Sequence, residues 1–304
     1  MTRHNNDAYV VMDVGGTFIK SGIMSADGVL LDGSQQTVPI DSDGTRESIS
    51  DSLRSAVSHG VSLIRYFGLT PAGIGICMPG PFNYHTGVSA MVHKFAALKD
   101  LPLKDVISES LEGMEIPVVF GHDVNTQLYG EMCGGNAKGF SNACLIAIGT
   151  GLGMATAVDG EILMTPTGSP LKSIWFLPYK DGILEDYVSK RGFYKLWEDV
   201  TGTRPSEEEM TVADMGRMAG EGDGTALEVF RRAGELIGRH IKDHLLEYRT
   251  ECLLFGGQIS RSFAFMETAV RKELAAIKGL EIHTVSDFSN AAFRGLAEML
   301  KDNS

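Results

Sequence analysis

Asp13-Val14-Gly15-Gly16-Thr17-Phe18-Ile19-Lys20 is the stretch on which the fold assignment turns. An apolar run from Tyr9 to Met12 precedes it and reads as a buried strand, and a second run follows from Phe18 to Met24. Two adjacent glycines between strands remove side chains where the backbone turns. They also let amide N–H groups approach an anion closely. Asp13 at the strand end suits a hydrated divalent cation, Thr17 supplies a hydroxyl and Lys20 a positive charge, a set matched to a polyphosphate–Mg2+ site. Taken alone, the same residues also describe a plain Gly-Gly hairpin with a surface lysine, so the rest of the chain must decide.

The plan of this stretch recurs. Met12 to Leu31 (MDVGGTFIKSGIMSADGVLL) and Ile146 to Leu163 (IAIGTGLGMATAVDGEIL) each read as strand, Gly/Thr turn, strand, Asp-Gly turn, strand. The repeat predicts two similar domains, each presenting one phosphate-binding turn.

Outward from the first hairpin, strands are expected at Gly28 to Leu31, Thr37 to Ile40, Ala72 to Cys77 and Ile116 to Phe120. From Thr45 to Phe67 the period switches, with Ile49, Leu53, Val57 and Ile64 on one helical face. Helices are also predicted over Leu103 to Leu111, from His122 through Met132, Leu184 to Val200, Ala226 to Tyr248, Phe263 to Ile277 and Asn290 to Leu300. Ala143 to Ile148, Cys252 to Phe255 and Glu281 to Val285 read as strands, and Thr165 to Asp181 carries no clear pattern. Alternating strands and helices place the chain in the α/β class.

Bulk composition narrows the function. The 304 residues are 43% apolar and 22% charged, as in soluble globular proteins, with room for two domains. Lys plus Arg (27) against Asp plus Glu (39) leaves a net charge of −12, and no basic run exceeds a pair such as Arg231-Arg232, which argues against nucleic-acid binding over a broad surface. No apolar run reaches membrane-spanning length, and the polar start (Thr2 to Asp7) has no signal-peptide core. Cys77, Cys133, Cys144 and Cys252 are scattered and form no Cys-x-x-Cys pair, as expected of thiols in a reducing cytoplasm and not of a structural zinc site.

Five pieces occur in a telling order: Asp13 to Lys20, Met78-Pro79-Gly80-Pro81, Asp123-Val124-Asn125, Gly149-Thr150-Gly151-Leu152-Gly153 and Gly256-Gly257. Their succession over nearly the whole chain resembles the ROK family of bacterial sugar kinases and sugar-responsive repressors. The resemblance implies two actin-like (ribonuclease-H-like) ATPase domains with a nucleotide and sugar cleft between them. The expected N-terminal domain spans 1–122 plus 287–304, and the expected C-terminal domain 123–286. Gly15, Gly16 and Thr17 with Lys20, and Gly149, Thr150 and Gly151, would grip the ATP phosphates, with Asp13 holding Mg2+ through water. Such a clamp suits phosphoryl transfer, where positioning and charge neutralisation dominate. Gly256 and Gly257 resemble the family's adenosine-binding turn, and the same pair also reads as a plain strand-to-helix turn.

Asp123 matches the family's catalytic base, able to accept the proton of an attacking sugar hydroxyl. The alternative is a helix N-cap. The likeness places Gly80, Lys94, His122, Asn125 and Glu185 in the sugar site, and Glu185 is equally a first-turn glutamate favoured by the helix dipole.

The departures cluster between Leu163 and Glu185, where the family's Cys-rich zinc segment and its Glu-x-Gly-His sequence give way to MTPTGSPLKSIWFLPYKDGI. That interval has no cysteine or histidine, so no zinc site is expected. Ser173 and Phe176 stand near the positions of the family's sugar-binding Glu and His, Lys94 where it has an Asn, and His122 where it often has Asn. Lys94 and Lys172 suit an anionic sugar or a sugar phosphate, and equally read as surface lysines beside a decayed site. Asp123 to Leu128 and Ser286-Asp287-Phe288 are similar to the allose-kinase branch.

The sequence therefore predicts a cytoplasmic ATP- and Mg2+-dependent kinase acting on a hydroxyl of a hexose or hexose derivative. A homodimer is usual for the family, and neither nucleic acid nor membrane is expected as a partner. The rival from another class is a non-catalytic sugar or nucleotide sensor. The few residues ahead of the first strand leave no room for the helix-turn-helix of the family's repressors.

Overall fold

The computed structural model describes residues 6–302. Thr2 to Asn5 of the polar start, and the last two residues of the expected N-terminal domain, lie outside the described residues. The chain forms two compact units, each built on a five-stranded mixed sheet.

The first unit opens with β1 (Asp7–Val14), β2 (Phe18–Ser25), β3 (Gln36–Pro39), α1 (Arg46–Tyr66) and β4 (Thr70–Cys77). It continues through the short pair β5 (Phe82–Asn83) and β6 (Val88–Ser89), then α2 (Leu103–Ser108), β7 (Val118–Gly121) and α3 (Asp123–Gly134). Its sheet has the order β3-β2-β1-β4-β7, antiparallel on the β3 side of β1 and parallel on the other. The central strand β1 is buried on both faces, which is why it reads as a continuous apolar run. Val10 and Met12 share a core with Ile49, Leu53, Val57 and Ile64 of α1, the four residues that the periodicity singled out. Thr45 caps α1, its hydroxyl accepting from the Ser48 amide at 3.2 Å.

The second unit repeats the plan. It contains β8 (Ala143–Ile148), β9 (Leu152–Val158), β10 (Glu161–Ile162), the small hairpin β11 (Pro178–Tyr179) and β12 (Gly182–Ile183), α4 (Lys190–Thr201), α5 (Val212–Gly220) and α6 (Gly224–Glu247). Then come β13 (Cys252–Gly256), α7 (Glu267–Glu273) and β14 (Glu281–Thr284). The order β10-β9-β8-β13-β14 again joins three antiparallel strands to two parallel ones.

The last helix, α8 (Ala291–Asp302), belongs to the first unit, as does the strap Met164–Pro170. Helix α3 also belongs there, and the second unit runs over Gly135–Leu163 and Leu171–Phe288. Phe293, Leu296 and Leu300 of α8 pack on the sheet face opposite α1, against Tyr9, Val11 and Cys77. Helix α8 also crosses α3 with almost no separation. A Cβ on Gly295 would stand 1.9 Å from the Thr126 carbonyl oxygen, and one on Gly130 2.3 Å from that of Ala291. Only glycines allow this approach.

Three local expectations change, and two elements arise where none was expected. Gly28 to Leu31 is not a strand; a single bridge joins Met24 to Leu30, and the third strand of the sheet is β3. The helix expected from Leu184 starts only at Lys190, because the Asp186 carboxylate accepts the Ile183 amide at 3.0 Å and tightens Leu184–Asp186 into a 3-10 turn. Phe263 to Ile277 divides into a 3-10 segment ending at Phe265 and the short α7. Helix α5 carries no expectation, and the unassigned interval holds the first strand of the β11–β12 hairpin.

Candidate functional site

In the first unit, strand register sets Asp13, Cys77 and Gly121 side by side across β1, β4 and β7. This is the carboxyl edge of the parallel strands, where open α/β sheets bind ligands. Asp13 and the His122-Asp123 pair therefore rise from nearby strand ends. Lys20 faces Asp13 in the β1–β2 register. In the intervening turn, the Gly15 amide donates to the Phe18 carbonyl at 2.9 Å. The Gly16 and Thr17 carbonyls accept from Ser42 and Ile40, each at 3.0 Å. The amides of Gly16 and Thr17 donate to no other described residue, which leaves two donors for an anion.

Lys94 stands over this turn. Its Nζ lies 3.7 Å from where a Cβ on Gly16 would be, with Ser42 Oγ at 3.4 Å from the same point. The buried Phe95, at φ 54°, donates its amide to the Ser42 carbonyl at 2.7 Å and fixes the loop. Gly80 sits in the loop after β4, which the Tyr84 hydroxyl ties down by donating to the Met78 carbonyl at 2.9 Å.

The two carboxylates are tuned in opposite directions. Burial, then the charge of Asp123, pushes the Asp13 carboxyl up to about 6, with Lys20 opposing. Enclosure also pushes Asp123 up, but the His122 imidazole and the Val124 amide outweigh it and hold Asp123 below its ordinary value. His122 Nδ1 stands 2.8 Å from Asp123 Oδ1, an ion-pair contact poorly aligned for a hydrogen bond, and the Val124 amide donates to the same oxygen at 2.8 Å. The Asp123 side chain remains 59% exposed, so a substrate can reach it. The carbonyl that starts α3 is that of His122, which takes both the amide and the hydroxyl of Thr126. Asp123 does not serve as the N-cap.

Asn125 is buried and donates its amide to the Gly168 carbonyl of the strap at 3.1 Å; its Oδ1 is buried without a partner. The amide nitrogen of this expected sugar contact is thus engaged with a glycine 43 residues away.

In the second unit, the Gly149 amide donates to the Gly151 carbonyl at 2.9 Å, and the Gly149 carbonyl accepts from Lys190 at 2.8 Å. Thr150 and Gly151 amides donate to no described residue. Gly256 pairs with Ala147, and Gly257, at φ 79°, presses on Ile148: a Cβ there would be 2.4 Å from the Ile148 carbonyl oxygen. The structure therefore brings Gly256 and Gly257 onto the Gly149–Gly151 turn. Glu185 is there too. Its Oε2 accepts the Leu152 amide at 2.9 Å, and its Oε1 pairs with Arg191 at 2.9 Å. Arg191 also pairs with Asp186 at 2.9 Å. Sequence reasoning missed Arg191 and Asp186, since only the 3-10 turn folds them onto Glu185.

Among the described residues no three His, Cys, Asp or Glu side chains converge as a metal site, so a divalent cation at Asp13 would depend on ligands from a phosphate chain. The repelling Asp13 and Asp123 carboxylates fit such a cation. No described helix is long and apolar enough to cross a membrane.

The family model described as the ROK family matches residues 9–170 and 179–298. The break at 171–178 falls within the interval where the sequence departs from the family. A glucokinase of Halalkalibacterium halodurans is 27% identical over 274 residues, covering 84% of this chain and 81% of that protein. Among solved structures, a ROK family transcriptional regulator, a homologue of the E. coli MLC protein, superposes with a TM-score of 0.83 at 18% identity, covering 97% of this chain and 78% of that one. A ROK family glucokinase from Streptomyces griseus, in complex with glucose and AMPPNP, gives 0.79 at 19% identity, covering 97% and 99%. At these identities the structural matches establish the fold, the two-domain actin-like (ribonuclease-H-like) arrangement of mixed α/β units.

Proposed function

The chain belongs to the ROK family, and on that premise we propose that this carbohydrate kinase transfers the γ-phosphoryl group of ATP to a hydroxyl of a hexose or hexose derivative, with Asp123 as the general base. The observation that carries the reading is Asp123 itself: an accessible carboxylate, kept ionised by His122 and the Val124 amide, near the end of β1 that bears Asp13.

In this reading the acceptor hydroxyl gives its proton to Asp123 while its oxygen attacks the γ-phosphorus. The bond from phosphorus to the bridging oxygen breaks and ADP leaves. The free amides of Gly16 and Thr17 in the first unit, and those of Thr150 and Gly151 in the second, are each suited to phosphate oxygens. Asp13 would hold Mg2+ through water; when bound, the cation neutralises charge on the phosphate chain. Lys94, beside Gly16, adds positive charge where phosphate oxygens or an anionic acceptor would lie. Gly80 and His122 border the acceptor, and Asn125 keeps the strap in place beside it.

Replacing the base tests the proposal. Asp123→Asn should lower turnover by roughly a hundredfold or more, read as acceptor-stimulated ADP release over a sugar panel. Wild-type turnover in that variant would remove Asp123 from the reaction. The sensor reading is favoured by the likeness to a transcriptional regulator. It predicts no acceptor-stimulated ADP release from the wild type with any sugar.

A further inference from the structure

Glu185 and Arg191 stand outside this mechanism, yet they are the most heavily engaged charged pair around the second turn. The segment from Glu185 to Lys190 brackets that turn at both ends. At its start, the Lys190 amide donates to the Gly149 carbonyl at 2.8 Å; at its end, the Glu185 carboxylate accepts the Leu152 amide at 2.9 Å. Between them, Thr150 and Gly151 keep their amides unpaired. The bracket also sets the shape of the turn. A Cβ on Gly151 would meet Glu185 Oε2 at 2.9 Å, so the carboxylate lies flat against the backbone.

Glu185 is held rigidly to do this. Its own amide donates to the Trp175 carbonyl at 3.0 Å, the neighbouring Leu184 is fully buried, and the Leu184 amide donates to the Leu177 carbonyl at 2.8 Å. A carboxylate beside a phosphate turn repels the ligand unless its charge is offset. Arg191, in the first turn of α4, supplies part of that offset, its single positive charge shared between Glu185 and Asp186 at 2.9 Å each. A charge-assisted bond from carboxylate to amide is among the stronger hydrogen bonds available to a turn.

We infer that Glu185 is a donor-side positioning residue: its carboxylate pins the Leu152 amide and shapes the Gly149–Gly151 turn for nucleotide phosphates, and Arg191 offsets part of its charge there. This rests on the sugar-kinase reading for the identity of the anion, and it moves Glu185 away from the sugar-binding role that resemblance alone suggests.

The experiment measures KM for ATP and for the best acceptor separately, together with ADP affinity by direct titration. It also follows amide exchange of the peptide that contains Leu152. Glu185→Ala should raise the ATP KM and the ADP Kd roughly tenfold, leave the acceptor KM unchanged, and speed exchange at Leu152. Glu185→Gln keeps an acceptor oxygen for the amide and should restore both nucleotide constants to within about threefold of wild type. Arg191→Met should weaken ADP roughly tenfold, and adding Glu185→Gln to it should recover most of that loss. A raised acceptor KM with unchanged ATP and ADP constants in both Glu185 variants would overturn the inference and return Glu185 to the acceptor. If the wild type releases no ADP with any sugar, the kinase reading fails, while the ADP titration and the exchange measurement still decide the role of Glu185.

Discussion

The two glycine turns share a backbone plan and divide the chemistry. In the first hairpin the residue pair next to the turn-closing Val14–Ile19 pair is Asp13 opposite Lys20; in the second, the pair next to Ile148–Leu152 is Ala147 opposite Gly153. The first turn thus carries its charges in its own strands. The second has none, and takes a carboxylate and a guanidinium from the segment that leads into α4. A repeated fold fixes where amides point and leaves each copy to find its own charges.

The strongest way to break this comparison is to deform one turn alone. Gly257→Ala sets a Cβ 2.4 Å from the Ile148 carbonyl oxygen at a φ of 79°, and should cost about 3 kcal/mol of stability in urea unfolding. A cost below about 1 kcal/mol would show that the second turn has slack. Next in size is a matched pair. Gly149 has nothing within 4 Å of its Cβ position, and Gly16 meets only side-chain atoms at ordinary contact distance, Ser42 Oγ at 3.4 Å and Lys94 Nζ at 3.7 Å, so alanine at either should fold normally. Each methyl group would still intrude on bound phosphates and raise the ATP KM roughly tenfold. A rise in only one variant would mean that one turn, not two, grips the donor.

The smallest effect concerns the charge that only the first turn carries. The Asp13 carboxyl is raised from 3.8 to about 6 in the folded chain, so the native state favours its protonated form. Its contribution to stability is complete below about pH 4 and is lost as the pH rises through about 6. At pH 7.5, without divalent metal, the ionised group is a cost of about 1 kcal/mol after allowance for solvent screening. Asp13→Asn should therefore melt higher than wild type at pH 7.5 and lose the excess near pH 4. A lower melting point at pH 7.5 would contradict this sign.

How legible each part was in the sequence follows from the range of the forces involved. β1 and β8 were plain, because central strands buried on both faces must be continuously apolar. Both glycine turns were plain for a local reason as well. Asn125 was assigned to the acceptor; its side-chain amide also donates to the Gly168 carbonyl, 43 residues on, and no local pattern encodes that meeting. Glu185 was placed in a helix by its neighbours' periodicity, whereas an aspartate–amide bond one residue further along builds a 3-10 turn and aims the segment at Leu152. Gly28 to Leu31 looked like its counterpart in the second hairpin. Only there does a strand follow the Asp-Gly turn directly, as β10.

The crossing of α8 over α3 also dictates an order of assembly. Residues 291–302 leave the ribosome after every residue of the second unit, yet Gly295 packs on the carbonyl of Thr126, one turn beyond Asp123. Until they emerge, one face of the first sheet and one side of α3 stay uncovered, while the second unit already has its whole chain. The first unit therefore completes its packing only once its last helix has been made, and the contact at Thr126 waits on that step.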